Sequence, residues 1–169
     1  LHKKASLAVL SDENNQHMFT EDEREAIASH VPWTRVVEER RTQFHDKEID
    51  LIEFVRSNRE RLVLKPNDEY GGSGIVLGWD VEARAWDEAV ALAMEQPYIV
   101  QERITLPTEA YPSLVDGHVV ISDRIIDTAP FVFHGVYVDS CLTRLSSDPL
   151  VNVTAGSGSS LATFVVEPR

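Results

Sequence analysis

The alternation of apolar and polar positions predicts helices and strands in turn along the chain. The clearest helix is predicted over residues 82–96, where apolar side chains recur at helical spacing. A second one-faced helix is predicted over 46–58, and Thr20 with Glu23 has the capping-box spacing that opens a short acidic helix. The short apolar run at 5–10 predicts a buried first strand.

The most informative pattern is a strand, a glycine-rich loop and a second strand between residues 61 and 79. An apolar run ends at Lys65, a polar loop follows, and a second apolar run begins at Ile75. Glycines lack the Cβ atoms that keep ligands away, so the N–H groups of such a loop can close on phosphate oxygens beside the Lys65 charge. The alternative is an ordinary hairpin with a flexible turn. The loop residues of interest are Gly71, Gly72, Ser73 and Gly74.

Two familiar phosphate loops do not fit this pattern. A P-loop places its lysine after the glycines and continues into a helix, whereas here the lysine comes first and an apolar strand follows. The glycine loop of protein kinases precedes its lysine strand, and the chain has neither of the kinase tripeptides His-Arg-Asp and Asp-Phe-Gly.

The second half of the chain is rich in predicted strands. A short buried strand is predicted at 98–100, and further apolar runs follow at 119–122, 125–126, 131–133, 136–138, 142–145 and 151–153. The glycine-serine run at 155–160 is flanked by apolar residues on both sides, which favours an internal loop over a linker.

Composition narrows the class of protein. The 169 residues, 43% of them hydrophobic and 26% charged, suit one globular domain. A formal net charge of −12 argues against a nucleic-acid partner, which needs a basic face. No apolar run approaches the roughly 20 residues of a membrane span. The single cysteine, Cys141, suits a reducing compartment, so a cytoplasmic location is expected.

Three motifs in order carry a family resemblance: Lys65-Pro66-Asn67-Asp68, then Tyr70-Gly71-Gly72-Ser73-Gly74, then Tyr98-Ile99-Val100-Gln101-Glu102. They resemble the ATP-grasp superfamily, most closely its circularly permuted, glutathionylspermidine-synthase-like branch. The similarity also includes residues 7–11, 23–24, 32–35, 127, 130–131, 142–144 and 151–152. It therefore covers nearly the whole chain.

The resemblance implies an α+β fold of mixed, mostly antiparallel sheets flanked by helices. One ATP-grasp-like domain is expected over 1–169, with an N-terminal α/β segment at 1–60 and a nucleotide-binding core at 61–169. Relatives in this branch usually have polypeptide before the point where this chain begins, and Leu1 is not a methionine. We therefore expect a fragment whose site makes contacts with a missing N-terminal region.

The resemblance also implies a nucleotide site. Lys65 would contact the phosphates beneath a mobile flap formed by the glycine loop. Gln101 and Glu102 would occupy the adenine hinge, and Ile104 would add backbone contacts. The residues alone leave two structural alternatives open: Lys65 extends to solvent, and residues 101–104 are an edge strand that turns polar as it leaves the core.

Metal and transition-state roles are implied for three further residues. Asp127 and Asn152 match the family's magnesium positions, and oxygen ligands suit Mg²⁺. A second carboxylate is not identified, and Asp139 and Asp148 are weak matches. Arg144 would stabilise charge on the transferred phosphoryl group. Where relatives often carry an arginine, this chain has Ala129.

The function implied is an ATP-dependent carboxylate–amine ligase. Using ATP and Mg²⁺, such an enzyme phosphorylates a small-molecule or peptide carboxylate and lets an amine displace phosphate from the acyl-phosphate. The alternative, motivated by Ala129 and the incomplete metal motif, is a non-catalytic nucleotide-binding or interaction module.

Overall fold

Helices and antiparallel sheets both occur along the chain, which confirms the predicted α+β class. The computed structural model describes residues 3–151 and 158–164. The chain divides into two units, Leu1–Ile104 and Thr105–Arg169. One ATP-grasp-like domain over 1–169 stays a prediction.

The first unit contains all four α-helices of the described residues and six of the ten strands. Two short 3₁₀ helices, Glu13–Met18 and Arg59–Arg61, lie between them. In chain order the helices and strands are α1 (Ala5–Ser11), α2 (Glu21–His30), β1 (Thr34–Val36), β2 (Arg41–Phe44), β3 (Lys47–Asp50), α3 (Leu51–Ser57), β4 (Leu62–Pro66), β5 (Val76–Leu77), α4 (Ala83–Glu95) and β6 (Tyr98–Glu102).

The core lies on one face of a four-stranded antiparallel sheet with the strand order β1-β6-β4-β5. Leu62, Leu64 and Val100 point to this face and pack with Trp86, which is fully buried and donates its indole N–H to the Val55 carbonyl at 2.9 Å. Strands β2 and β3 form a separate hairpin whose Phe44 joins the same core.

The prediction of a strand at 5–10 is wrong, because these residues form α1. Two backbone N–H groups at its start find acceptors far along the chain: Lys4 N–H donates to the Asn67 carbonyl at 3.1 Å, and Ala5 N–H to Asn67 Oδ1 at 2.8 Å. Because the first N–H groups of a helix have no partner inside it, this non-local bonding stabilises the helix. A short apolar run cannot by itself distinguish a helix from a strand.

The predicted helix at 46–58 is only partly correct, since β3 occupies its first residues and α3 begins at Leu51. The Asp50 carboxylate accepts the Glu53 N–H at 3.1 Å, so Asp50 is the N-cap that starts the helix. Two other predictions are confirmed. Thr20 and Glu23 form a complete capping box at the start of α2, and α4 occupies all but the ends of the predicted range.

The second unit is a four-stranded antiparallel sheet with the order β10-β9-β8-β7. In the positions 105–151 and 158–164 it contains strands and no helix. Three of the predicted apolar runs merge into one long strand, whose pairing register shifts between Phe131 and Val132. The strands of the second unit are β7 (Thr108–Val115), β8 (His118–Phe133), which is the long strand, β9 (Tyr137–Ser146) and β10 (Gly158–Leu161).

Membrane insertion through a helix has no support in the described part of the chain, where no helix has both the length and the apolar composition to span a bilayer.

If the core is assigned correctly, leucine-to-alanine substitution should lower the free energy of unfolding by different amounts at two helical leucines. Leu51 is fully buried, whereas Leu92 is 43% exposed. Leu51→Ala should lower the free energy of unfolding by about 2–5 kcal/mol, because it leaves a cavity among packed side chains. Leu92→Ala should cost less than about 1 kcal/mol. Urea denaturation followed by circular dichroism measures both, and equal costs would contradict the assigned core.

Candidate functional site

The predicted strand, glycine loop and strand are present as β4, residues 67–75 and β5. Gly71, Gly72 and Gly74 all have positive φ angles, of 67°, 81° and 69°. Side chains disfavour this conformation, and a Cβ at Gly74 would also lie 3.0 Å from the Tyr98 hydroxyl. That hydroxyl donates to the Gly74 carbonyl at 3.3 Å, which anchors the end of the loop. The loop therefore needs its glycines for its own conformation.

The beginning of the loop is bonded to the start of α1. Asn67, whose oxygens accept from the first N–H groups of α1, also donates its own N–H to the Pro97 carbonyl at 2.8 Å. The Lys4 ammonium donates to the Glu69 carbonyl, and Lys3 forms an ion pair with Asp68. The two lysines before α1 are thus brought to the glycine loop, although they lie more than 60 positions earlier.

Lys65 and Gln101, both predicted nucleotide contacts, are brought together in the first unit. The Lys65 ammonium donates to Gln101 Oε1 at 2.7 Å. Burial lowers the pKa of Lys65, and the nearby charge of Lys4 lowers it further. The side chain is held against Gln101, so the structure disfavours the alternative in which this lysine extends to solvent. Its contact with phosphate stays a prediction.

The strand register places Gln101 and Glu102 on opposite faces of the sheet. Gln101 pairs with Val63 and therefore shares the face of Lys65, two positions further along β4. Glu102 pairs with Leu62 and points to the core face. There its Oε1 lies 3.1 Å from His45 Nε2 and 3.7 Å from an Arg61 nitrogen. The two predicted hinge residues therefore present their side chains to different surroundings.

The Glu102 side of the sheet opens into a cleft of about 810 Å³. Ile104, which is 58% exposed, lies on its wall with Trp33 and His45. Lys65, Gln101 and the glycine loop do not line it. The predicted site residues of the first unit thus separate into a lysine face and a cleft. The remaining residues around the cleft are Ser11, Glu13, Gln16, Arg24, Ile27, Ala28, Ser29, His30, Val31, Pro32, Arg35, Gln43, Asp46 and Glu102.

A buried ionic network borders the cleft. Arg35 has only 2% of its side chain exposed and donates to Glu13 Oε2 at 2.6 Å, to Thr42 Oγ1 at 2.7 Å and to backbone carbonyls. Arg40 binds both oxygens of Asp12 at 2.5 and 3.1 Å. Because these donors are occupied by protein acceptors, the network offers little to a ligand, and loss of one partner would leave a buried charge unpaired.

The network alters the pKa of both carboxyls. Burial alone would raise the pKa of Asp12, but hydrogen bonds from Arg40 and the Asn14 N–H, with the charges of Arg40 and Arg35, outweigh it and lower that pKa. Burial also opposes ionisation of Glu13, and its pKa is lowered by hydrogen bonds from its own N–H and from Thr42, together with the charge of Arg35.

Asp127 and Arg144, predicted as a metal ligand and a catalytic cation, are bonded to each other in the second unit. They are register partners in β8 and β9, and two Arg144 nitrogens donate to Asp127 Oδ2, Nε at 2.7 Å. Asn152 lies outside the described residues. In the part of the chain that is described, no three His, Cys, Asp or Glu side chains form a group that could hold a metal ion.

Sequence reasoning missed two polar residues around the Lys65–Gln101 pair. In the sequence Lys4 is only a positive charge before an apolar run, yet in the structure its charge lowers the pKa of Lys65. Thr34 is fully buried on β1, where its Oγ1 accepts a hydrogen bond from Gln101 Nε2 at 2.9 Å. The position of Thr34 within the strand pattern of 33–37 is the available signal, but only the strand pairing reveals its partner.

Comparison with known proteins gives a partial match to ligases. No protein-family model matches the chain. A Frankia casuarinae protein named "Putative glutamate--cysteine ligase 2-2" is 33% identical over 114 residues. A Frankia alni protein named "Putative glutamate--cysteine ligase 2-3" is 35% identical over 115 residues. Each alignment covers 63% of this chain, which spans only 13% of the length of each relative.

The lowered pKa values of Asp12 and Glu13 predict a loss of stability in acid. Between the folded and ordinary pKa values the unfolded chain binds more protons, so stability present above the ordinary pKa is lost as the pH falls. We expect the free energy of unfolding to decrease from about pH 5 to pH 2. Asp12→Asn should differ most from the parent at neutral pH and converge with it in acid.

Urea titrations across this pH range provide the measurement. Glu25→Gln, an exposed change on α2, is the matched control and should follow the parent profile. A constant difference between Asp12→Asn and the parent at every pH would contradict the role assigned to the network.

Proposed function

We propose that this chain is part of an ATP-dependent ligase that joins a carboxylate to an amine. The observation that carries the proposal is the 2.7 Å contact between Gln101 on β6 and Lys65 on β4, the strand that leads into a loop with three positive-φ glycines. The match to two proteins named as glutamate–cysteine ligases supports the same reaction class. Glutamate and cysteine are therefore the first acid and amine to test.

In the proposed site, Lys65 and Lys4 bind the phosphates of ATP. The Lys4 ammonium lowers the pKa of Lys65 because the two positive charges repel each other. The negative phosphates of ATP, bound between the two lysines, would offset that repulsion. The glycine loop would close on the same phosphates and exclude water, since Lys4 is already bonded to its backbone at Glu69. Gln101 would contact the adenosine from the same face of the sheet.

The proposed reaction has two steps. The carboxylate attacks the terminal phosphorus of ATP, which forms an acyl-phosphate and releases ADP. The amine then attacks the acyl carbon, phosphate leaves with the C–O bond electrons, and the amine proton is lost to give the amide. Arg144 would stabilise charge on the transferred group, for which a guanidinium fork is suited.

Mg²⁺ is part of the proposal, with Asp127 and Asn152 as its proposed ligands. A carboxylate oxygen fits Mg²⁺, which typically uses one or two carboxylates together with phosphates and water. Arg144 donates two hydrogen bonds to Oδ2 of Asp127, so Asp127 would hold the ion while paired with Arg144. When bound, the ion would neutralise phosphate charge.

The pairing of Asp127 with Arg144 also favours a second candidate, a non-catalytic nucleotide-binding module. Two groups proposed for metal binding and catalysis neutralise each other, and Ala129 replaces an arginine expected from the resemblance. The two candidates differ in turnover. Amide formation coupled to phosphate release, tested on this chain and on the whole natural polypeptide, supports the ligase, whereas nucleotide binding without turnover in both supports the module.

Nucleotide binding is tested by thermal stability with Mg²⁺-ADP and Mg²⁺-ATP. A ligand at 100 times its dissociation constant stabilises the folded state by about 2.7 kcal/mol, which raises the midpoint of a chain of this size by several degrees. Lys65→Ala should abolish that shift, because it removes the proposed phosphate contact. The control Lys47→Ala makes the same change on exposed β3 and should retain it.

Two outcomes would contradict the proposed site. An equal shift in Lys65→Ala and the parent would place nucleotide binding away from Lys65. No shift in the parent, for this chain and for the whole polypeptide, would rule out the nucleotide site itself.

A further inference from the structure

Four polar groups form a continuous line from Lys65 on β4 through Gln101 on β6 and Thr34 on β1 to the Pro32 carbonyl just before β1. The Lys65 ammonium donates to Gln101 Oε1 at 2.7 Å, Gln101 Nε2 donates to Thr34 Oγ1 at 2.9 Å, and Thr34 Oγ1 donates to the Pro32 carbonyl at 2.8 Å. Thr34 is fully buried and Gln101 is 5% exposed, so bulk water replaces few of these contacts. Each polar atom therefore depends on its neighbour in the line.

The chemistry of the two ends fixes the direction of every hydrogen bond. The Pro32 carbonyl can only accept, so it takes the single hydroxyl proton of Thr34, whose oxygen then accepts from Gln101. The Lys65 ammonium can only donate. An amide has one accepting end and one donating end, so a single orientation of Gln101 satisfies both neighbours. The reverse orientation would place the amide NH₂ against the ammonium.

We infer that Thr34 is a positioning residue: its hydroxyl orients the Gln101 amide so that the carbonyl oxygen holds the Lys65 ammonium in the proposed phosphate site. The functional part of this inference rests on the proposed nucleotide site, whereas the orientation of the amide does not. Thr34 lies on β1 opposite Gln101 in the strand register, which brings it within reach without contact to Lys65 itself.

The orientation matters because Lys65 has an unfavourable environment for its charge. Burial and the Lys4 ammonium both lower its pKa, and the Gln101 oxygen is the acceptor at hydrogen-bond distance that counters them. Without a fixed amide, Lys65 would lose this partner in part of the molecules. The Lys65 amine would then be protonated in fewer molecules, and it would be less well oriented toward the proposed phosphate site.

The test compares Thr34→Val, which keeps the branched shape but removes the hydroxyl, with Thr34→Ser, which keeps the hydroxyl. Mg²⁺-ADP affinity, measured by calorimetry, should weaken about tenfold in Thr34→Val, the equivalent of one hydrogen bond. Thr34→Ser should remain within about twofold of the parent. An NMR titration of the Lys65 side chain should give a lower pKa in Thr34→Val and an unchanged pKa in Thr34→Ser.

A rescue variant separates positioning from packing. A carboxylate accepts hydrogen bonds whichever way it turns, so adding Gln101→Glu to Thr34→Val should bring the Lys65 pKa back to the parent value or above it. Unchanged affinity and unchanged Lys65 pKa in Thr34→Val would overturn the inference. Failure of the double variant to raise the Lys65 pKa would also overturn it.

The parent protein gives a measurement that needs no variant to fold. Nuclear Overhauser contacts from the Gln101 amide protons to the Thr34 methyl group are expected, and contacts from those protons to the Lys65 terminal methylene instead would overturn the inference. If the parent binds no nucleotide, the proposed function fails, whereas the amide orientation and the Lys65 pKa still test Thr34.

Discussion

The antiparallel pairing of β4 with β6 is the constraint on which both the core and the candidate site depend. Because side chains alternate along a strand, this register directs Leu62 and Leu64 into the core and Val63 and Lys65 to the opposite face. A slip of one residue would exchange the two sets. Burial of the leucines therefore specifies, without any ligand, where Lys65 meets Gln101.

A buried arginine and a half-buried lysine lie in the first unit, and their charges have different partners. Arg35 contacts a carboxylate, a hydroxyl and backbone carbonyls; burial lowers its pKa, and the charges of Glu13 and Asp12 oppose that shift. Lys65 has a neutral amide oxygen and a second lysine nearby, and its pKa is lowered. Arg35 already has a carboxylate partner, whereas the described contact of Lys65 is an amide oxygen, which is why the proposed phosphate site is placed at Lys65.

Local sequence patterns predict those elements whose signals are local. The glycine loop, α4 and the capping box of α2 each depend on residues close in sequence, and they are present as expected. Helix α1 escapes such patterns because Asn67, more than 60 positions away, supplies acceptors for its first N–H groups. The contacts of Thr34 and Lys4 with the lysine site escape them for the same reason. The separation of Gln101 from Glu102 follows from strand alternation, but the histidine partner of Glu102 comes from the turn of the β2–β3 hairpin.

The central proposal is that the phosphates of a nucleotide bind on the Lys65 face of the sheet and not in the cleft beside Glu102. Titration of isotope-labelled protein with Mg²⁺-ADP, followed by backbone and side-chain NMR, tests this directly. We predict the largest shift changes at Lys65, Gln101 and residues 71–74, with small changes around His30 and His45. Changes concentrated around the cleft, with the glycine loop unaffected, would contradict the claim.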